Sequence, residues 1–181
     1  ARGLDIERSM RSVLIVTLNS EKLLANTLSA LVPAVVEGFL RRVVVVDQGS
    51  TDETRLVAEG AGCALYNEDE LTEALDALRT EWLLILQPGA ILADGWEEAV
   101  RRHMGESQGP ARFTLQQEAR LGLLGKLFAR KPSLDSGLLV RLETLGSLPS
   151  SGLELEGLPR QLKPVRLPQI IIPPQTTKGG A

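Results

Sequence analysis

Cysteine, histidine and aromatic side chains are scarce in this chain. Cys63 is the only cysteine, which excludes an internal disulfide and a thiolate metal cluster, so the thiol reads as a small core hydrophobe. His103 is the only histidine. Uncorroborated by a second one, it gives no support to a Ser-His-Asp or Cys-His nucleophile, and beside Arg101 and Arg102 it suits a helix C-terminus. Aromatic residues make up 3% of the chain, so the core must be built from Leu, Val, Ile and Ala. There is no excess of positive charge: 20 basic against 23 acidic residues give a net charge of −3, which argues against a dedicated nucleic-acid binder. No run approaches the roughly 18 apolar residues of a membrane span. The charged opening ARGLDIERSMRS shows no secretory signal, and the expectation is a cytoplasmic protein of bacterial type. A Gly-x-Gly-x-x-Gly fingerprint is missing after the first strand, and no Gly-Lys-Ser/Thr ending accompanies the one Gly-Ser-Thr-Asp turn, so neither dinucleotide nor phosphate-loop motif is present.

What is there is a run of short apolar strands separated by helical segments. Ser12–Leu18 (SVLIVTL) is apolar almost throughout, as expected of a strand covered on both faces. Asn19-Ser20 forms a turn and cap before a helix over Glu21 to Val32, which Pro33 ends or kinks, with a short helical piece over Val35–Leu40. Val43–Val46 is a second strand, closed by Asp47 and the turn Gln48-Gly49-Ser50-Thr51. Asp52 then caps a helix to Ala61. Cys63–Tyr66 and Trp82–Leu86 read as further strands, with helices over Glu70 to Arg79 and Trp96 to Met104 by apolar spacing. Such alternation in 181 residues predicts one α/β domain with a mostly parallel sheet and right-handed crossovers. The second half is less regular: strands at Ala111–Leu115 and Ser136–Val140, a helix over Glu118 to Arg130, a short helix at Arg141–Leu145 and an edge strand at 162–167. The organisation expected is an extension over 1–11, a domain over 12–168 and an extended tail over 169–181.

The string Arg42 to Thr54, RVVVVDQGSTDET, is the most informative. A carboxylate at the carboxyl end of a buried strand, beside a turn and a helix start, stands where open α/β sheets bind ligands. Val46-Asp47-Gln48-Gly49-Ser50-Thr51-Asp52 resembles the Val-Asp-Asp-Gly-Ser-Thr-Asp motif of family 2 glycosyltransferases of the GT-A fold. Val16-Thr17-Leu18-Asn19 stands in place of that family's Pro-Thr-Tyr-Asn-like motif. The similarity is good from about Ser12 to Met104 and weak beyond. It implies a nucleotide-sugar partner, usually UDP-linked, and an acceptor of unknown kind. It also implies a nucleotide-binding set of Thr17, Asn19, Asp47, Gly49, Ser50 and Gln87, in which Thr17 and Asp47 meet the base. A carboxylate can accept the imide N–H of uracil. Asp47 has a second candidate role, capping the amides of Ser50 and Thr51, and the two roles can coexist.

The departures from the family pattern are as informative. Where the fourth strand should end in the metal-binding Asp-x-Asp, this chain has Gln87-Pro88-Gly89. A hard divalent ion wants several oxygen ligands, preferably anionic, so the Mg²⁺ or Mn²⁺ usual in the family has no ligands here and no metal site is expected. Asp94, Glu97 and Glu98 fit the start of the next helix instead. The family's general base is an Asp or Glu; its closest counterparts here are Glu154 and Glu156, with solvated surface glutamates as the alternative and Pro159 disturbing the helix expected there. Asp135 is an acceptor-side candidate or a turn cap. The helix over Glu118 to Arg130 carries Leu121, Leu124, Leu127 and Phe128 on one face beside Arg120, Lys126 and Arg130, with Lys131 just after. The segment 118–131 is thus a candidate for contact with an anionic membrane surface, the alternatives being a helix packed on the domain or a protein contact. The short C-terminal half leaves little material for an acceptor lid, which makes a second copy of the chain a further candidate partner. Two functions remain: transfer of a sugar from a nucleotide diphosphate by an inverting enzyme, or a catalytically inactive relative acting in binding or scaffolding.

Overall fold

The computed structural model describes residues 12–126, 131–148 and 154–175. The extension over 1–11, residues 127–130 of the segment 118–131, and the end of the tail from 176 lie outside them. Elements follow in the order β1 (Ser12–Thr17), α1 (Glu21–Val36), β2 (Arg42–Asp47), α2 (Thr54–Gly60), β3 (Ala64–Asn67), α3 (Leu71–Asp76), β4 (Trp82–Leu86), β5 (Ile91–Leu92) and α4 (Trp96–Glu106). The second half adds β6 (Ala111–Leu115), α5 (Gln116–Leu121), β7 (Leu138–Arg141), α6 (Leu142–Gly146), α7 (Leu158–Leu162) and β8 (Val165–Ile172), with 3-10 turns between.

One eight-stranded sheet of order β3-β2-β1-β4-β7-β6-β8-β5 carries the fold. β1, β2, β3 and β4 pair in parallel, as β-helix-β alternation requires. Beyond β4 the sheet turns mixed: β7 is antiparallel to β4 and β6, β6 and β8 are parallel, and β5 closes the edge antiparallel to β8.

Strand alternation divides the core in two. One face presents Val13, Ile15, Val45, Leu84 and Phe113 to the helices α1, α2 and α4 through Leu24, Leu28, Ala58 and Val100. The other presents Leu14, Val44, Val46, Leu83, Ile85 and Leu138, covered by Ala74, Leu78, Leu145, Leu155 and Leu158. The few aromatics are placed to bind elements together: Phe39 meets Trp96 edge-on at 5.4 Å, and Trp82 meets His103 at 5.8 Å. His103 is accordingly buried, its Nε2 donating to the Gly109 carbonyl at 2.8 Å. The ring is a packing group as well as a helix-end group. Cys63 is half-buried, and burial pushes its thiol pKa up.

Several boundaries depart from the sequence expectation. α1 runs through Pro33 to Val36. The helix expected over Glu118 to Arg130 stops at Leu121, because Gly122 takes φ +53° and a 3-10 turn over Gly122–Lys126 follows. The largest difference is at the C-terminus. The tail expected from Gln169 is strand to Ile172: Ile170 pairs with Thr114, and Ile171 pairs with Leu115 on one side and Leu92 on the other. Pro168 precedes this stretch and interrupts the ladder, which is why its sequence suggests an end. Ile171 is wholly buried. Ile171→Ala is therefore expected to cost about 2–5 kcal/mol in urea unfolding, where a peripheral tail would give an unchanged midpoint.

Candidate functional site

The site grows from two loops that leave the carboxyl ends of β1 and β2 side by side, since Thr17 and Asp47 are register partners. The Asp47 side chain is buried and turned onto its own loop. Its Oδ2 accepts the Ser50 amide at 3.0 Å and Arg55 Nη1 at 3.3 Å; its Oδ1 accepts the Ser50 hydroxyl. Ser50 Oγ in turn accepts the Asn19 amide at 2.8 Å. Asn19 Oδ1 accepts the Thr51 amide at 2.8 Å, the one that Asp47 was expected to cap. Gly49 at φ +91° makes the turn possible.

The helix starts are cross-capped in the same way. Ser20 donates its amide to Thr54 Oγ1 at 2.8 Å, Glu21 donates its amide to Asp52 Oδ2 at 3.4 Å, and Glu53 donates its amide to Glu21 Oε2 at 3.1 Å. Asp52 also caps its own helix, accepting the Thr54 amide at 3.0 Å. The polar residues of the Gly-Ser-Thr-Asp string thus form a clasp that locks loop to loop and satisfies amides that the short helix starts leave free.

Burial raises the Asp47 pKa, and the Ser50 hydroxyl, the Ser50 amide, Arg55 and the Gly49 amide together outweigh it, holding the carboxyl below its ordinary value. For Asp52 the Thr54 hydroxyl leads a similar lowering.

Beside the clasp, on the opposite face of the sheet, lies a cavity of about 730 Å³. Val16, Leu18 and Ser20 at the end of β1 and its loop, Val46 and Gln48 at the end of β2 and its loop, Ile85 to Pro88 of β4 and its turn, and Glu154 to Glu156 line it, with Glu68, Leu71, Leu134 and Pro174 completing the wall. Side chains alternate along a strand, so Thr17 and Asp47 point to the face covered by α1, α2 and α4 while their neighbours Val16 and Gln48 face the cavity. Thr17 Oγ1 is buried with no partner among the described residues. Of the expected nucleotide-binding set, Gln87 lines the cavity. Thr17, Asn19, Asp47, Gly49 and Ser50 stand behind its rim and do not line it.

Glu154 and Glu156 do line it, held by a 3-10 turn that leads into α7. Pro159 does not break that helix, because it falls in the first turn, where a missing N–H costs nothing. Asp135 sits in a 3-10 turn whose neighbour Leu134, not Asp135 itself, reaches the cavity. Ser20, Gln48 and Glu68 are the polar lining residues that motif reasoning passed over, the last two joined by Gln48 Nε2 donating to Glu68 Oε1 at 3.0 Å. The available signal was strand parity: Gln48 is two residues beyond the apolar Val46.

The turn after β4 is tight where the second carboxylate of the family motif would stand. Gly89 takes φ +93°, and a Cβ there would stand 3.0 Å from Leu23 Cδ2 and 3.2 Å from the Pro174 backbone. The Gly89 amide donates to Thr27 Oγ1 at 2.8 Å, and that hydroxyl donates to the Ala90 carbonyl at 3.0 Å, fastening the turn to α1. With a neutral Gln87 and a glycine at a strained, tightly packed position, the donor set does not suit a hard divalent ion. No group of three or more metal-ligating side chains occurs among the described residues. Of the cavity-lining residues described, Glu68, Glu154 and Glu156 are the charged ones, and all are acidic.

Two outcomes follow from the clasp and the turn. Asp47→Asn should lower stability at neutral pH by about 1–3 kcal/mol. Because the folded pKa of Asp47 lies below its unfolded value, its contribution is present above the unfolded pKa and lost as pH falls through the folded one. The gap between wild type and variant in chemical unfolding should therefore close in acid; a gap constant with pH contradicts the assignment. Gly89→Ala should cost about 1–3 kcal/mol for the left-handed backbone alone. The double variant Gln87→Asp, Gly89→Asp should unfold earlier than wild type without gaining Mn²⁺ affinity in calorimetry, and a stable, Mn²⁺-binding double variant contradicts the tightness of this turn.

Comparison with known proteins agrees with this architecture. Residues 12–68 match the family model described as Glycosyl transferase family 2. Among solved structures, glucosyl-3-phosphoglycerate synthase of M. tuberculosis superposes with a TM-score of 0.66 at 18% identity, over 97% of this chain and 75% of that one. The same enzyme in complex with Mn²⁺, UDP and glucosyl-3-phosphoglycerate gives 0.61 at 20% identity, over 94% and 74%. With Mn²⁺, UDP-glucose and phosphoglyceric acid it gives 0.58 at 20%, over 81% and 61%. No curated protein sequence matches. The signature over 12–68 is that of family 2 glycosyltransferases, and the fold of the whole sheet is GT-A-like.

Proposed function

We propose that this chain binds the nucleoside end of a nucleotide sugar in the cavity beside the clasp, without a divalent ion, and that it has lost the transfer reaction. The observation that carries this reading is the lining itself: aliphatic walls, two carboxamides at Gln48 and Gln87, and glutamates where a diphosphate would need cations. A carboxamide can accept and donate at once. Gln48 therefore suits the imide edge of uracil, whose N–H stands between two carbonyls. Val16, Leu18 and Val46 offer apolar surface to the ring. UDP and UDP-glucose are bound by the M. tuberculosis enzyme of the same fold, which supports a nucleotide sugar as the ligand here.

Loss of transfer follows from charge. Departure of a nucleoside diphosphate needs its developing charge neutralised, by a metal or by Lys and Arg. The described lining supplies neither, and Arg55, beside the clasp, is held by Asp47 and by Asn67 Oδ1 at 3.1 Å. The competing reading, inverting sugar transfer, is favoured by one observation: Glu154 and Glu156 line the cavity, where either could take the proton of an acceptor hydroxyl.

Calorimetric titration separates the two. Uridine and UDP are expected to bind with similar affinity, unchanged by Mn²⁺ or by EDTA, because the diphosphate gains nothing from a glutamate-lined wall. Gln48→Ala should weaken uridine binding by about tenfold, the worth of a 1.4 kcal/mol hydrogen-bond contribution. Absence of uridine binding overturns the proposal. Mn²⁺-dependent UDP binding, with UDP release from UDP-glucose that Glu154→Gln or Glu156→Gln abolishes, establishes transfer instead.

A further inference from the structure

Gln48 does not meet the cavity alone. Asp47 of β2 and Asn67 of β3 are register partners in a parallel pair. The residue after each, Gln48 and Glu68, therefore falls at one level on neighbouring chain segments, and both line the cavity. Both backbones are held. The Gln48 amide donates to the Thr17 carbonyl at 2.9 Å. Glu68 opens a 3-10 turn, Glu68–Glu70, which is closed by the Asn67 amide donating to Glu70 Oε2 at 2.6 Å. Arg55 donates to Asn67 Oδ1 at 3.1 Å and to Asp47 Oδ2 at 3.3 Å, which ties this turn to the clasp.

A carboxamide has two faces. Half a turn about its last bond exchanges its acceptor for its donors, so an unrestrained glutamine can meet either kind of ligand edge. An ionised glutamate only accepts, and beside Gln48 it admits one of the two orientations. Nε2 turns to Glu68 Oε1 at 3.0 Å, and Oε1 turns away from the carboxylate. The reversed amide would set oxygen against oxygen and leave the carboxylate without its donor.

We infer that Glu68 is a positioning residue that sets base selectivity by locking the Gln48 amide with its carbonyl oxygen offered to the ligand. This role rests on the nucleoside reading of the cavity and adds to it the class of base that is accepted. A keto-imide base such as uracil brings a ring N–H to that oxygen. Cytosine brings a ring nitrogen that is itself an acceptor, and reaches the oxygen only through its exocyclic amine, from a shifted position. Free to reverse, the amide would turn an N–H to the cytosine ring instead and serve both bases.

Calorimetric titration with uridine, cytidine and 3-methyluridine tests this. Wild type should prefer uridine to cytidine by about tenfold, the worth of one hydrogen bond. 3-Methyluridine, which lacks the ring N–H, should bind as weakly as cytidine. Glu68→Ala should bring the uridine-to-cytidine ratio close to one, chiefly by improving cytidine. Its thermal midpoint should match that of wild type, since Glu68 is exposed. Glu68→Gln keeps the size but can donate as well as accept, and should lose the preference too. Wild-type protein that binds uridine and cytidine equally overturns the inference and leaves the nucleoside proposal standing. So does a preference that survives in Glu68→Ala, or a variant that loses both nucleosides in equal measure. Wild-type protein that binds no nucleoside overturns the nucleoside proposal and this role with it.

Discussion

Everything at the carboxyl edge of this sheet depends on the clasp between the β1 and β2 loops. Asp47, Asn19, Ser50 and Asp52 accept amides from across the gap or from their own turns, so two short loops behave as one rigid corner. A single loop of this length would leave several amides for water to satisfy, whereas each hydrogen bond made within the protein contributes about 0.5–1.5 kcal/mol net. Reciprocal capping supplies such bonds to both loops at once. It also fixes the starts of α1 and α2, and with them the helix-covered face of the sheet.

A rigid corner defines what stands on its other side. With Asp47 and Thr17 committed to the helix face, Val16 and Gln48 are forced to the cavity, where they meet the turn after β4. That turn is fastened independently, by Thr27 from α1 and by Pro174 packed over Gly89. The cavity is therefore framed by backbone that cannot easily shift, and the chemistry of its lining must be taken as it stands: amides, aliphatics and glutamates. A metal-dependent diphosphate site would need carboxylates at the turn, and the left-handed backbone and close packing at Gly89 oppose the second one.

The strands of the parallel half were legible because each is a short, continuous apolar run bounded by turn residues: Ser12–Thr17, Arg42–Asp47 and Trp82–Leu86 all lie where the sequence predicts, within a residue. The motif was legible too, since a Gly-Ser-Thr-Asp turn after a buried strand is specific. Side-chain parity was not. A strand buried on both faces has no alternation to read, so Asp47 and Gln48 could not be assigned to faces, and a one-residue difference exchanges them. Long-range partners were hidden for the same reason: β8 owes its length to Leu92 and Leu115, which lie far from it in sequence. The cross-loop bond from Thr51 to Asn19 likewise spans 32 residues, beyond any local signal.

The central claim is that Asn19, Asp47 and Ser50 are spent on holding the two loops together. Native-state hydrogen exchange measures that directly, at the amides of Asn19, Ser50 and Thr51. All three should exchange slowly in the unliganded protein, at rates like those of the neighbouring strands, and Asn19→Ala should release the Thr51 and Ser50 amides together. Exchange at the fast rate of open loops in the wild type would mean that the clasp does not hold these side chains, and the account of the cavity built upon it would fail.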